Sequence, residues 1–302
     1  MTTSLSLLVV GGCILDVAVS PHLAPRDATS NDAGVRLAPG GTAHNVARNL
    51  VRLGSRATLV SAVGEDEAGR SLRERLAASG VTARLAVAGR SAVYVAVLSP
   101  AGDLDRGYCD PGSMEELTAA RALEQAGDLS RFDAAYLDAN LSEGCVTELA
   151  GAFRSADLPY ALEPVSVDKA CRLRAALPGC ALVKPNRAEA QALTGVDCSR
   201  RESWAEAAAR LRAAGAAAVA LSLGPDGLYL ACDGFSDHVP AAVAGTVRDT
   251  TGAGDALLAA GFLGLLSGAS PATVARAMSR AAALACAAPE PVSTELGPEV
   301  LS

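Results

Sequence analysis

The 302 residues predict an α/β fold: a doubly wound, mostly parallel sheet with helices on both faces, plus a small β-sheet lid. Three observations predict it. Leu5 to Gly11 is a short unbroken apolar run, as expected of a strand buried on both faces. From position 115 on, strand-length apolar runs alternate with helical patterns in βαβ order, which builds a parallel sheet. Residues 17–39, and then 84–88, 92–99 and 103–109, carry short alternating pieces such as Val35-Arg36-Leu37, an excursion of small strands away from that sheet. The chain is therefore read as one domain over 1–302, with a lid formed by about 13–39 and 84–112, and without internal repeats or an interdomain linker.

The first strand ends in Gly11-Gly12, and Asp16 follows. Ligands of open α/β sheets bind beyond the carboxyl ends of the strands, which places Asp16 where it can hold sugar hydroxyls, although Asp is also a common turn residue. Thr29-Ser30-Asn31 offers donors and acceptors at the tip of the excursion, or else forms a solvated turn. Gly40-Gly41-Thr42-Ala43-His44-Asn45 opens a helix with apolar residues at 46, 50 and 53, and Gly54 terminates it. A strand over Thr58 to Val63 leads to Gly64-Glu65-Asp66 and a helix reaching Ser79-Gly80.

Further strands are expected at Ala134 to Asp138, Pro159 to Glu163 and Cys180 to Val183, with Asn140 just past the end of the first. Asn186 and Glu189 share one face of a helix start, as a capping box or as ligands. Val219 to Leu223, the turn Gly224-Pro225-Asp226-Gly227 and the return Leu228 to Cys232 form a hairpin. Pro271 to Ala288 is the closing helix, and the tail from Pro289 is irregular.

The organising stretch is Asp249-Thr250-Thr251-Gly252-Ala253-Gly254-Asp255, followed by the apolar run Ala256 to Leu266. The glycines permit a sharp turn and a close backbone approach, and the helix start supplies free N–H groups and a positive dipole end for an anion. Asp255 stands where that anion would sit, suited to take a proton from a hydroxyl attacking phosphorus. The same pattern alone would also suit a plain helix cap.

Asp-Thr-Thr-Gly-Ala-Gly-Asp resembles the C-terminal signature of the ribokinase-like (PfkB) sugar and nucleoside kinases. Gly40-Gly41 with Asn45, about 200 residues earlier, resembles the N-terminal signature, and Val63-Gly64-x-Asp66-x-x-Gly69 is similar to a further family run. The resemblance implies Asp255 as catalytic base, Gly252, Ala253 and Gly254 as anion hole, and Gly40, Gly41 and Asn45 as acceptor contacts. It implies that Asn186 and Glu189 serve phosphate and, through water, Mg²⁺, and that Ser222, Gly224 and Gly227 line the nucleotide phosphates. Asp249 and Thr251 resemble positions that shape a monovalent-cation site, so K⁺ activation is implied beside ATP and Mg²⁺.

Gly11 to Asp16, Thr29-Ser30-Asn31, Asp138 to Ser142 and Glu163-Pro164-Val165-Ser166-x-x-Lys169 are most similar to the pseudouridine kinase branch of that family. That branch implies substrate contacts from Ser30, Asn31, Asn140 and Lys169, and transfer to the 5′-hydroxyl of a ribose-bearing nucleoside. Ile14 and His44 depart from it, since its members often carry Asn at the first place and usually Arg at the second. A ribokinase, another nucleoside kinase and a catalytically silent nucleoside-binding protein stay open as alternatives. Arg outnumbers Lys 24 to 2, and both Lys169 and Lys184 sit beside motifs, where a compact ammonium is not replaceable by a guanidinium.

Composition narrows the partners. A net charge of −7 without a basic stripe argues against nucleic acid. No apolar run approaches the ~18 residues of a membrane span, and Met1 to Gly12 lacks a basic leader pattern, so a cytoplasmic protein is expected. Eight scattered cysteines without a Cys-x-x-Cys pair argue against zinc and against a disulfide framework. Unpaired edges of the lid sheet invite a second copy, so a homodimer through the lid is a candidate assembly.

Overall fold

The computed structural model describes residues 4–99 and 104–302. Met1–Thr3, and Asp103 as the expected start of the last lid strand, lie outside the described residues. In chain order the strands are β1 Ser6–Val10, β2 Ile14–Pro21, β3 Ala33–Gly40, β4 Arg56–Gly64, β5 Thr82–Ala88, β6 Val93–Leu98 and β7 Leu104–Asp110. They continue with β8 Ala134–Asp138, β9 Tyr160–Glu163, β10 Leu182–Val183, β11 Val219–Ser222, β12 Leu228–Cys232 and β13 Phe235–Val239. The helices are α1 Thr42–Arg52, α2 Glu67–Ala77, α3 Ser113–Glu116, α4 Ala119–Ala126, α5 Glu143–Ser155, α6 Val167–Ala170, α7 Arg187–Thr194, α8 Trp204–Ala213, α9 Ala253–Leu266 and α10 Pro271–Ala287.

The main sheet runs β13-β12-β11-β10-β9-β8-β1-β4-β5, parallel from β5 to β11 and antiparallel over β11 to β13. Its strand order reverses direction between β1 and β8, the switch point where a crevice opens at the carboxyl ends. One face buries Leu7, Val9 and Leu59 against α1, α2, α9 and α10, while the other buries Leu8, Val10 and Val60 against α4, α5 and α8. Successive residues of β1 thus point to opposite cores, which is why the strand is apolar throughout. Helix α9 is buried from Asp255 to Gly264 and apolar on all sides, as a helix enclosed by α1, α10 and the sheet must be.

The small sheet, β3-β2-β6-β7, stands apart, with β2 and β6 parallel and the outer strands antiparallel to them. One lid expectation needs correcting. The 84–88 segment belongs to β5, which pairs in parallel with β4 as the edge of the main sheet. Its alternation is that of a half-covered edge strand, with Ala86 and Ala88 buried and Val87 exposed, a pattern that a lid strand would share. β13 extends the sheet beyond the expected hairpin; its Ser236, Asp237 and His238 conceal it from a search for apolar runs.

Candidate active site

β10, β9, β8 and β1 are neighbours, so their ends line up in one row: Lys184, Glu163, Asp138 and Gly11-Gly12. Asp138, fully buried, is the hub. Its Oδ2 accepts from Gly12 N at 3.0 Å, from Ala43 N at 3.1 Å and from the Thr42 hydroxyl, while Oδ1 accepts from Asn140 N at 3.0 Å. A carboxylate at the start of α1 also satisfies a free N–H of that helix and faces its positive end. It therefore ties the end of β1, the start of α1 and the exit of β8 together.

The second helix start is that of α9. Gly252 takes the left-handed conformation at φ 82°, and a side chain there would collide with the Pro291 carbonyl. Among the described residues, the N–H groups of Gly252, Gly254 and Asp255 have no acceptor. Three unclaimed donors at a helix N-terminus fit the phosphate chain of a nucleotide. Lys184 Nζ lies 2.7 Å from where a Cβ on Gly254 would be, so its ammonium faces the same turn. That ammonium is buried and ion-paired with Glu163 Oε2 at 2.9 Å. Burial opposes its charge, but Glu163, then Glu189 and Asp255, outweigh it and hold its pKa above the ordinary lysine value.

Asp255 is buried at the base of this turn and accepts from Asn45 Nδ2 at 2.8 Å. Burial pushes its pKa up to about 7, against the pull of Asn45 and Lys184 and with a further push from Asp138 and Asp16. Asn45 Oδ1 in turn lies 3.2 Å from His44 Nδ1. An amide oxygen only accepts, so His44 donates from Nδ1. Burial and then Arg48 lower the His44 pKa to about 4, leaving a neutral ring.

Asp16 lies on β2, and its carboxylate occupies the space a Cβ on Gly40 would take, so the first Gly of the pair is required by close approach. Burial raises its pKa to about 6, partly offset by Arg36. Gly41 precedes α1 at φ 90° against the Gly12 carbonyl. Lys169 Nζ donates to Asn140 Oδ1 at 2.7 Å, and Asn140 Nδ2 donates to Thr42 at 3.3 Å, which joins these residues to the Asp138 hub. Asp16, Gly40, Gly41, Asn45, Asn140, Lys169 and the 252–255 turn thus gather at the strand ends.

Asn186 and Glu189 form a complete capping box on α7: Asn186 N donates to Glu189 at 2.8 Å and Glu189 N to Asn186 at 2.9 Å. Buried Glu189 still faces the Lys184 charge, so capping and proximity to the turn coexist. Asn186 bridges Ser222, and Gly224 and Gly227 form the turn between β11 and β12 with positive φ. Asp249 accepts from Thr251 N and its hydroxyl at 2.9 and 2.7 Å, a closed turn on an exposed segment. Ser30 and Asn31 are not brought in. They sit on the exposed tip between β2 and β3, and the Asn31 side chain is spent on Arg26 and Thr29. β2 carries the tip away from Asp16 by about 3.3 Å per residue over Val17 to Pro21.

Asp138, Thr42 and Glu163 join the site beyond the residues the sequence assigns to it; Asp138 and Glu163 head stretches that carry the family resemblance, but their meeting is topological, polar residues at the ends of strands that are neighbours.

A buried carboxylate beside a helix-start anion site, at the switch point of an α/β sheet, suits a phosphotransferase acting on a hydroxyl. The comparisons with known proteins agree. The model of the pfkB family carbohydrate kinases matches residues 4–295, and the chain belongs to that family. It is 32% identical over 256 residues to the pseudouridine kinase of Escherichia coli (strain K12), covering 84% of this chain and 81% of that one. It is 35% identical over 261 residues to the bifunctional protein HldE of Caulobacter sp. (strain K31), covering 82% of this chain and 51% of the relative, so it spans about half of that protein. Among solved structures it resembles a carbohydrate kinase from Agrobacterium tumefaciens, with TM-score 0.84, 27% identity and coverage of 98% and 95%. The ribokinase of Arabidopsis thaliana, solved with ribose and ATP, shares the fold, with TM-score 0.83, 22% identity and coverage of 99% and 98%. The protein is thus a sugar or nucleoside kinase of a family that uses ATP and a divalent metal. No helix among the described residues is long and apolar enough to cross a membrane.

Proposed function

We propose that this kinase transfers the γ-phosphoryl group of ATP to the 5′-hydroxyl of pseudouridine. The observation that carries the reading is the Asn45–Asp255 bond of 2.8 Å, which joins the acceptor end of the site to the anion-hole turn. Asp16 and the Gly40-Gly41 backbone hold ribose hydroxyls, and Asn140 with Lys169 faces the rest of the nucleoside. Asp255 accepts the proton as the 5′-oxygen attacks phosphorus. The open N–H groups of Gly252 and Gly254, with the Lys184 ammonium beside them, stabilise charge on the transferring group, while that of Ala253 is spent on the Thr250 carbonyl at 3.3 Å. Glu189 and Asn186 would hold Mg²⁺ through water, and the ion would supply charge neutralisation on the phosphates; few protein ligands suit a metal that keeps its waters. Ser222, Gly224 and Gly227 carry the nucleotide, and Asp249 with Thr251 shapes a K⁺ site.

The small sheet acts as a lid over the acceptor, and its exposed Val35, Leu37 and Tyr108 support pairing with a second copy. Eight free cysteines suit the reducing cytoplasm. A second reading, ribose or another nucleoside as acceptor, is favoured by His44, which is turned inward to Asn45 rather than offering the charge of the usual arginine.

The test is ADP release with Mg-ATP and K⁺, offering pseudouridine, uridine, adenosine, inosine, ribose and fructose 6-phosphate separately. A kcat/KM for pseudouridine at least tenfold above every other acceptor is expected. Equal or better use of ribose or another nucleoside replaces the acceptor but keeps the mechanism. Nucleoside binding without ATP consumption replaces the enzyme with a binding protein.

A further inference from the structure

Beside the acceptor end lies a cavity of about 420 Å³, lined by Arg36 of β3, His44 and Arg48 of α1, Arg75 of α2, and Glu290-Pro291 beyond α10. Three guanidinium groups face one carboxylate there, on a chain whose net charge is −7. Among the described residues, none of the three donates a hydrogen bond to the protein, whereas Arg84, Arg154 and Arg172 each spend donors on backbone carbonyls. The one carboxylate lining it among the described residues, Glu290, lies 3.8 Å from Arg48, beyond hydrogen-bond distance, and Asp16 lies near enough to Arg36 to feel its charge. Arg36 and Arg75 are exposed and Arg48 half-buried, so all three guanidinium groups are open to an incoming anion.

We propose that this cavity is a binding site for a phosphate-bearing small molecule, of the size of a sugar phosphate, held by Arg36, Arg48 and Arg75. Guanidinium forks match phosphate oxygens bidentately, and the volume is that of a small-ligand pocket rather than of a single ion. His44 offers the neutral Nε2 of its ring as an acceptor for a ligand hydroxyl, since Nδ1 is committed to Asn45. Glu290 is the resident competitor, displaced from Arg48 by the incoming anion. The position gives such a ligand two contacts with the catalytic turn: Pro291 backs Gly252, and His44 leads through Asn45 to Asp255.

Isothermal titration of the full chain, without ATP, tests the site with inorganic phosphate, ribose 5-phosphate and ribose at matched ionic strength. Saturable binding of a phosphate species is expected, weakened at least tenfold in R36A/R75A and tightened severalfold in E290Q. The opposite sign of the glutamate variant separates loss of a ligand contact from loss of fold. Ribose 5-phosphate binding at least tenfold tighter than phosphate assigns a sugar phosphate as ligand; equal affinities assign the free anion. Absence of saturable binding by both, or affinities unchanged in all variants, overturns the site. No turnover is measured, so neither result bears on the acceptor proposed above.

Discussion

Two helices begin at the floor of the crevice, and each meets a buried aspartate. At α1, Asp138 accepts four hydrogen bonds from three chain segments. At α9, Asp255 accepts one, from Asn45, and its pKa is driven up to about 7. Both carboxylates are buried, so burial alone does not separate them; the number of donors does. A carboxylate saturated with donors is a structural joint, while one left short of donors keeps an appetite for a proton. The fold thus builds rigidity and reactivity from the same residue type within one crevice.

The comparison is broken most directly by exchanging the charge at each centre. Asp255→Asn should reduce kcat by about 10³-fold, the scale of general-base removal. Because burial disfavours the native carboxylate, the same variant should melt at equal or higher temperature, by roughly 2 °C for each ~1 kcal/mol gained. Asp138→Ala should do the reverse, with a loss of about 3–5 kcal/mol in urea unfolding from four unpaired donors and an opened joint. If Asp138→Ala keeps its stability, the distinction between joint and base fails.

The pH dependence sharpens the same point. Only the ionised base accepts the proton, so kcat/KM should rise with pH through about 7. Removing the single donor, in Asn45→Ala, should move that limb upward by about half a unit or more and lower the rate at pH 7 severalfold. The linkage to stability has the opposite sense. A carboxyl raised from 3.8 to about 7 in the folded state favours folding below about 4, and that contribution is lost as pH rises through 7. The smallest effect is expected at Gly40→Ala, where the new Cβ displaces the Asp16 carboxylate. KM for the acceptor should rise about twofold with stability nearly unchanged, on the scale of the ~0.5 kcal/mol of one displaced hydrogen bond.

Much of this site was legible in the chain because its motifs are local. Gly40-Gly41 to Asn45 and Asp249 to Asp255 each lie at one helix start, where spacing already says which groups converge. Both lysines singled out against an arginine-rich background hold site contacts, Lys169 on Asn140 and Lys184 on Glu163. What stayed hidden depends on pairing between distant strands. Asp138 becomes a hub only because β8 is the neighbour of β1, and Glu163 and Lys184 meet only because β9 adjoins β10. The 84–88 segment reads as a lid strand yet pairs with β4, because alternation reports one covered face without saying which sheet supplies it. Ser30 and Asn31 have the chemistry of a binding tip, yet Asn31 satisfies itself within its own turn.

The bond between Asn45 and Asp255 joins residues 210 positions apart. During synthesis at about 5–20 residues per second, Asn45 leaves the ribosome about ten seconds or more before Asp255. Helix α1 packs on α9, so Asn45 is held in place only once the segment that carries Asp255 has been made. The two ends of the candidate site are therefore set together, late in synthesis, rather than one after the other.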